Sequence, residues 1–196
     1  MKVGLIDIDW LGHASFRIRG SKTVYIDPFK LRTSEKADII LITHEHFDHC
    51  SPEDIKKIRA DKTVVVCPRD CAEKIGGDVK TMQPGDSAEI IGIGIEAVHA
   101  YNIGKSFHPK EKMWNGYIIE IDKQRIYHAG DTDVIPEMDG IKADIALLPV
   151  GGTYTMNYGE AANAVDKINP TYVVPMHYGT IVGAKEDAEK LKSICG

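Results

Sequence analysis

The sequence predicts an α/β protein, a layered sandwich with its helices outside. Strand patterns dominate up to Ile121, αβ units dominate both ends, and two apolar runs, "ADIILIT" (Ala37–Thr43) and "ADIALLPVGG" (Ala143–Gly152), read as strands buried on both faces.

Each element has its own signal. "KVGLIDID", "ASFRIRG" and "KTVYIDP" combine β-branched or aromatic residues with alternation, and "RGSK" suits a hairpin turn. After "ADIILIT" comes "SPEDIKKIRA", where Ser51 is an N-cap, Pro52 takes the first helical position and acidic residues fill the first turn. "TVVVCP" reads as another buried strand, and "RDCAEKIGG" as a short helix stopped by glycine. "SAEIIGIGIEAVHA" is a long strand pattern, whereas "GYIIEIDKQRIYHAG" folds over a turn near Asp122–Lys123. "YGEAANAVDKI" repeats apolar residues at helical spacing, "TYVVPMHYGT" is a last strand, and "AKEDAEKLKSI" is a terminal helix. No long-period repeat or low-complexity tract interrupts the series.

With 196 residues, the chain suits one domain spanning 1–196. The balance of 24 Lys+Arg against 29 Asp+Glu gives a net charge of −5, which disfavours strong non-specific nucleic-acid binding. Asp7 and Asp9 stand where a signal peptide needs an apolar run, and no stretch approaches a membrane span. Cys50, Cys67, Cys71 and Cys195 are too sparse for a disulfide framework and read as free thiols, so the cytoplasm is the expected compartment.

The chemistry concentrates in "THEHFDH", where His44, His46, Asp48 and His49 occupy six positions between a buried strand and a helix start. A histidine-rich polar loop is the bland alternative, but histidine accounts for only 8 of 196 residues. Clusters of histidine and carboxylate at this spacing suit a metal. His44 and His46, two apart on extended chain, project the same way and can share a cation. Asp48 and His49 follow where the chain turns. Further candidates lie at other strand ends: His99 in "EAVHAYN", Asp131 in "YHAGDTD" and His177 in "VVPMHYG".

The H-x-H-x-D-H motif, the glycine-aspartate of "AGDTD" and the late histidine resemble the metallo-β-lactamase superfamily. "WLGHASFRI", "VYIDPF", "LLPVGGTYTM" and "VVPMHYGT" more narrowly resemble its small metal-dependent hydrolases, which are related to ascorbate-6-phosphate lactonases. The resemblance spans nearly the whole chain and implies a four-layer αββα sandwich with a two-metal site at one edge. Under it, His44 and His46 would bind the first metal, Asp48, His49 and His177 the second, and Asp131 would bridge them. His99 is the favoured third ligand of the first metal. His108, in "KSFHPKE", is the alternative for that role or a contact to substrate. Asp27 would orient a ligand, and His13 would stand near the site; for His13 and His128 a structural hydrogen-bonding role is equally open. Gly130, Gly151 and Gly152 would permit tight turns beside the metals.

The resemblance implies hydrolysis by a hydroxide held between two divalent cations, with Asp48 and Asp131 in the catalytic centre and His108 or Tyr154 as candidate proton donors. The ligand set suits zinc or manganese, and iron also fits. The expected substrate is a small molecule with a lactone or other ester-like bond. Phosphodiester or RNA cleavage is the alternative, and Lys105, Lys110 and Lys112 are its only local hint. A di-iron redox protein is disfavoured by histidine rather than glutamate at His46, and a non-enzymatic scaffold by the full ligand set. The sequence leaves self-association open.

Overall fold

In the computed structural model, which describes residues 1–196, the first half of the chain forms a seven-stranded sheet in sequence order. Its strands are β1 (Lys2–Val3), β2 (Ile6–Gly12), β3 (Ser15–Arg19), β4 (Thr23–Ile26), β5 (Ile39–Leu41), β6 (Val64–Cys67) and β7 (Lys80–Thr81). Helix α1 (Pro52–Ile58) joins β5 to β6, and α2 (Arg69–Ile75) joins β6 to β7. The second half forms a six-stranded sheet of β8 (Ser87–Ile90), β9 (Ile93–His99), β10 (Asn115–Ile121), β11 (Gln124–His128), β12 (Ile145–Pro149) and β13 (Tyr172–Met176). Helix α3 (Tyr158–Ile168) connects β12 to β13, and α4 (Lys185–Cys195) follows. Each sheet begins as an antiparallel meander and ends in parallel strands, β4 to β7 in one and β11 to β13 in the other.

The alternation along β5 shows how the layers stack. Ile39 and Leu41 join the core between the sheets, while Ile40 and Ile42 join the cluster under α1 and α2 with Ile55, Ile58 and Cys71. Each such side chain stabilises the fold by about 1.5–3 kcal/mol through burial. On the other side, Ala161, Ala164 and Ile168 of α3 and Leu191 of α4 are buried in the core that reaches β12 and β13. The result is the α/β sandwich of the sequence reading, with helices on both outer faces.

The helix starts follow the sequence signals. The Ser51 hydroxyl accepts from the Asp54 amide at the head of α1, and Asn157 with Glu160 forms a reciprocal cap on α3. Two strand readings need correction. "KVGLIDID" breaks at Gly4–Leu5 into β1 and β2, which fold back on each other. "SAEIIGIGIEAVHA" is not one strand but the hairpin β8–β9, because Ile91 and Gly92 take φ of +46° and +86° and form a two-residue turn. An isoleucine at positive φ hides that turn from a sequence reading. All four cysteines are free, three of them buried, and no helix is long and apolar enough to cross a membrane.

The β10–β11 turn is set by Asp122 and Lys123, both at positive φ (+49° and +68°), and the Asp122 carboxylate also accepts from the Ser21 amide at 2.7 Å. Lysine gains nothing from that backbone, whereas glycine relaxes it. Lys123→Gly is expected to stabilise the fold by up to about 1 kcal/mol. Thermal unfolding followed by circular dichroism should then show a Tm about 2–4 °C higher.

Candidate metal centre

The "THEHFDH" loop leaves the end of β5 held by a buried carboxylate. Asp27 Oδ1 accepts from the Thr43 amide at 2.8 Å, and Oδ2 accepts from the Thr43 hydroxyl at 2.6 Å and from His49 Nδ1 at 2.7 Å. Thr43 has given its only hydroxyl proton to Asp27, so it accepts from His44 Nδ1 at 2.9 Å. Both imidazoles therefore hold a proton on Nδ1 and turn Nε2 towards the centre, where His44 Nε2 meets His46 Nδ1 at 3.1 Å.

A third histidine is prepared in the same way from another loop. Between β9 and β10 the chain returns on itself, with the Asn102 amide donating to the His108 carbonyl at 2.8 Å. Asn102 Oδ1 accepts from both the amide and Nδ1 of His108, each at 3.0 Å, which leaves His108 Nε2 bare. Asp131 follows Gly130, whose φ of +65° and close approach to the Asn115 carbonyl (2.8 Å from a would-be Cβ) leave no room for a side chain. His177 stands just past β13, where a Cβ on Gly151 would lie 2.3 Å from its carbonyl.

His13 ties the first sheet to this end of the second. It sits in the two-residue turn between β2 and β3 at φ +53°, a position that ordinarily suits glycine. Its carbonyl accepts from the Trp10 indole at 2.8 Å and from the His177 amide at 2.9 Å, and its Nε2 donates to Asp48 Oδ2 at 2.8 Å.

The side chains converge in three overlapping groups, the ligand atoms of each lying within 4.8 Å of one another: His44, His46 and His108; His13, Asp48, His49 and His177; and His44, His49 and Asp131. Asp131 is the hub. Its Oδ2 is 3.0 Å from His177 Nε2 and 3.3 Å from His108 Nε2, and its Oδ1 is 3.4 Å from His49 Nε2. Yet the Nε2 atoms of His49, His108 and His177 and the Oδ1 of Asp131 are buried without a hydrogen-bond partner. Buried polar atoms are costly to leave unpaired, and this many aimed at one point fit divalent cations.

The electrostatics keep the carboxylates ionised. Burial alone would raise Asp131, but His177 and His49 hold it well below the usual carboxylate range. Burial also works against charge on His49, and the Asp131 and Asp27 carboxylates outweigh it, raising its pKa well above that of an ordinary histidine, so a cation bound at its Nε2 would displace a proton. Burial, with His49 alongside, keeps His44 well below. For Asp48, burial is overcome by the hydrogen bond from His13 and the nearby His49, which bring it down to about 2.

His44, His46, Asp48, His49, Asp131 and His177 are thus brought together as the sequence suggested. His99 is the correction. It joins none of the three groups, and its ring lies 6.0 Å from that of Tyr101. The strand end was the wrong guide, because the Asn102-braced loop carries His108 back to His44 and His46. His128 is structural, its Nε2 donating to the Ala14 carbonyl (2.9 Å) and its Nδ1 accepting from the Gly130 amide (3.2 Å). Two residues of the centre escaped the sequence reading. Asn102 fixes His108, and Trp114 is buried with its ring 5.0 Å from those of His44 and His46, its indole donating to Asp70 at 2.7 Å. A lone asparagine and a lone tryptophan carry no spacing signal.

Residues 7–177 match the family model described as the beta-lactamase superfamily domain. The chain belongs to the beta-lactamase superfamily. A metal-dependent hydrolase of Thermoplasma acidophilum is 37% identical over 97% of this chain and 91% of its own length. One from Pyrococcus horikoshii is 38% identical over 98% and 93%. Among solved structures of the superfamily's fold, Igni18, a metallo hydrolase of Ignicoccus hospitalis, superposes with a TM-score of 0.80 at 27% identity, covering 96% of this chain and 91% of that one.

Asp27→Asn would keep the shape of the clamp but remove its charge and unsettle the tautomer of His49. Metal titration should show affinity at the His49 side reduced about 10–100-fold with the circular dichroism spectrum unchanged. A second expectation concerns acid. Asp48 and Asp131 have folded pKa values below their unfolded ones, so their contribution is present above about pH 4 and lost as pH falls towards 2. Urea midpoints of metal-free protein should fall over that window, and the fall should be shallower in Asp48→Asn.

Proposed function

We propose that this metal-dependent hydrolase of the beta-lactamase superfamily holds two divalent cations and cleaves a lactone or other ester-like bond in a small molecule. The observation that carries the two-metal reading is the set of buried, unpartnered Nε2 atoms of His49, His108 and His177 around Asp131, with the outer nitrogens of His49 and His108 already engaged. One cation would be held by His44, His46 and His108. The other would be held by Asp48, His49 and His177, with Asp131 between them. Nitrogen and carboxylate donors without thiolate suit zinc, manganese or iron.

Bound there, such ions lower the pKa of water from 15.7 to about 7 and polarise an ester oxygen. The protein's own groups do the rest. Asp131 keeps the two halves together and offers an acceptor to the attacking water. His13 fixes the carboxylate of Asp48 through the 2.8 Å hydrogen bond, and Trp114 excludes solvent behind His44 and His46.

The lysines that hinted at nucleic acid weaken the phosphodiesterase alternative. Lys105 pairs with Asp133, Lys110 with Glu137 and Lys112 with Glu45, so each is neutralised where it stands. A cytoplasmic setting accords with four free thiols.

Elemental analysis after loading with zinc or manganese tests the reading. Wild type should retain two equivalents, His108→Ala should lose one and His99→Ala none. Metal-loaded wild type should hydrolyse lactones or carboxylic esters in preference to phosphodiesters. Retention of no metal, or loss at His99→Ala alone, would overturn the assignment.

A further inference from the structure

Beside the Asp48–His49–His177 half of the centre lies a cavity of about 490 Å³ that the ligand set does not use. Small-molecule sites commonly fall between about 300 and 1,000 Å³. Three loops wall it, and each belongs to that half of the centre: the turn that carries His13, the loop Phe29–Thr33 that follows Asp27, and Thr180, just past His177. His13 is the shared wall, lining the cavity while its Nε2 holds Asp48.

The cavity is basic. Of its three cations, Arg17 is occupied by Asp9 and Glu35, whereas Lys30 and Arg32 have no carboxylate within ion-pair distance. The contrast is sharp with the lysines on the other side of the centre, all paired, and with a chain of net charge −5.

The loop is also built to stay put. Lys30 has φ +51°, a strained conformation for a lysine that the surroundings must impose. They do so through Asp54, a buried carboxylate in the first turn of α1, which accepts from the Lys30 amide at 2.8 Å and the Leu31 amide at 3.0 Å. Lys30 Nζ then lies 5.0 Å from the centroid of the Phe29 ring, and that ring is 6.0 Å from His13. Strain concentrated in a loop beside a metal centre, with its cation laid along an aromatic ring that leads to the centre, is more than a solvated surface lysine requires.

We propose that this cavity is the subsite for an anionic substituent of the substrate, a carboxylate or a phosphate, with Lys30 and Arg32 as its counter-ions. The hydrolase therefore acts on anionic lactones or esters, oriented by the charge at one end and cleaved at the metal centre at the other. The word substrate rests on the hydrolase reading; the binding of the anion does not.

The test is calorimetric titration of metal-loaded wild type and of the Lys30→Met/Arg32→Met double variant with succinate and, separately, with inorganic phosphate. The metal contribution is common to both proteins once elemental analysis shows equal loading. At least a tenfold loss of affinity in the double variant for one of the anions is expected, smaller at high salt, and the anion that loses more identifies the group. Arg32→Met alone, at an exposed side chain without partners, should show a severalfold loss and guards against misfolding of the double variant. Equal affinities of wild type and both variants for both anions would overturn the proposal. In kinetics, the preference for a 4-nitrophenyl half-ester of succinic acid over neutral 4-nitrophenyl acetate should fall at least tenfold in the double variant, mainly through KM. If no ester, lactone or phosphodiester is turned over while the difference in anion affinity persists, the hydrolase reading fails and the subsite stands.

Discussion

Asp27 is fully buried and accepts three hydrogen bonds, two from Thr43 and one from His49. A carboxylate removed from water is tolerable only when its oxygens are this well supplied. Because the donors bracket the metal-binding segment, satisfying the carboxylate also fixes where that segment starts, how it turns and which nitrogens of His44 and His49 face inward. The loop could not relax towards solvent without stranding that charge. The arrangement of the centre is therefore a consequence of electrostatic necessity one layer behind it.

The topology explains why the other donors arrive at the same place. Each sheet turns from antiparallel to parallel pairing, and parallel strands in a crossover all end at one edge. The ends of β5, β11 and β13 thus deliver the segment Thr43–His49, Asp131 and His177 to a common rim. Tyr117 braces that rim from beneath, its hydroxyl donating to the Ile42 carbonyl at 2.9 Å across the two sheets. His13 closes the arrangement by bonding the first sheet's hairpin to the amide of His177.

Much of this was legible because it is local. A continuous apolar run predicts a strand buried on both faces, and Ile39 to Ile42 indeed divide between two cores. Histidines two apart at such a strand's end must point together, and Asp131 and His177 announced themselves by similar positions. What stayed hidden depends on distant partners. His108 is nine residues beyond the end of β9, and only the hydrogen bonds to Asn102 decide that it, not His99, meets His44 and His46. Likewise the pairing of His13 with Asp48 joins residues 35 apart through a turn whose positive φ is uncommon for any residue but glycine.

That backbone choice has an evolutionary edge. His13, Asp27 and His177 all occupy the left-handed region, with φ of +53°, +44° and +59°. At the two histidines glycine would relieve strain, whereas at Asp27 it would strand the buried donors of Thr43 and His49, so a mutational walk rewarded for heat resistance alone would be drawn towards glycine at His13 and His177. It would arrive at a sturdier sandwich emptied of its chemistry. The centre thus stands on the slope between durability and activity, and only selection for turnover keeps side chains where the peptide would rather have none.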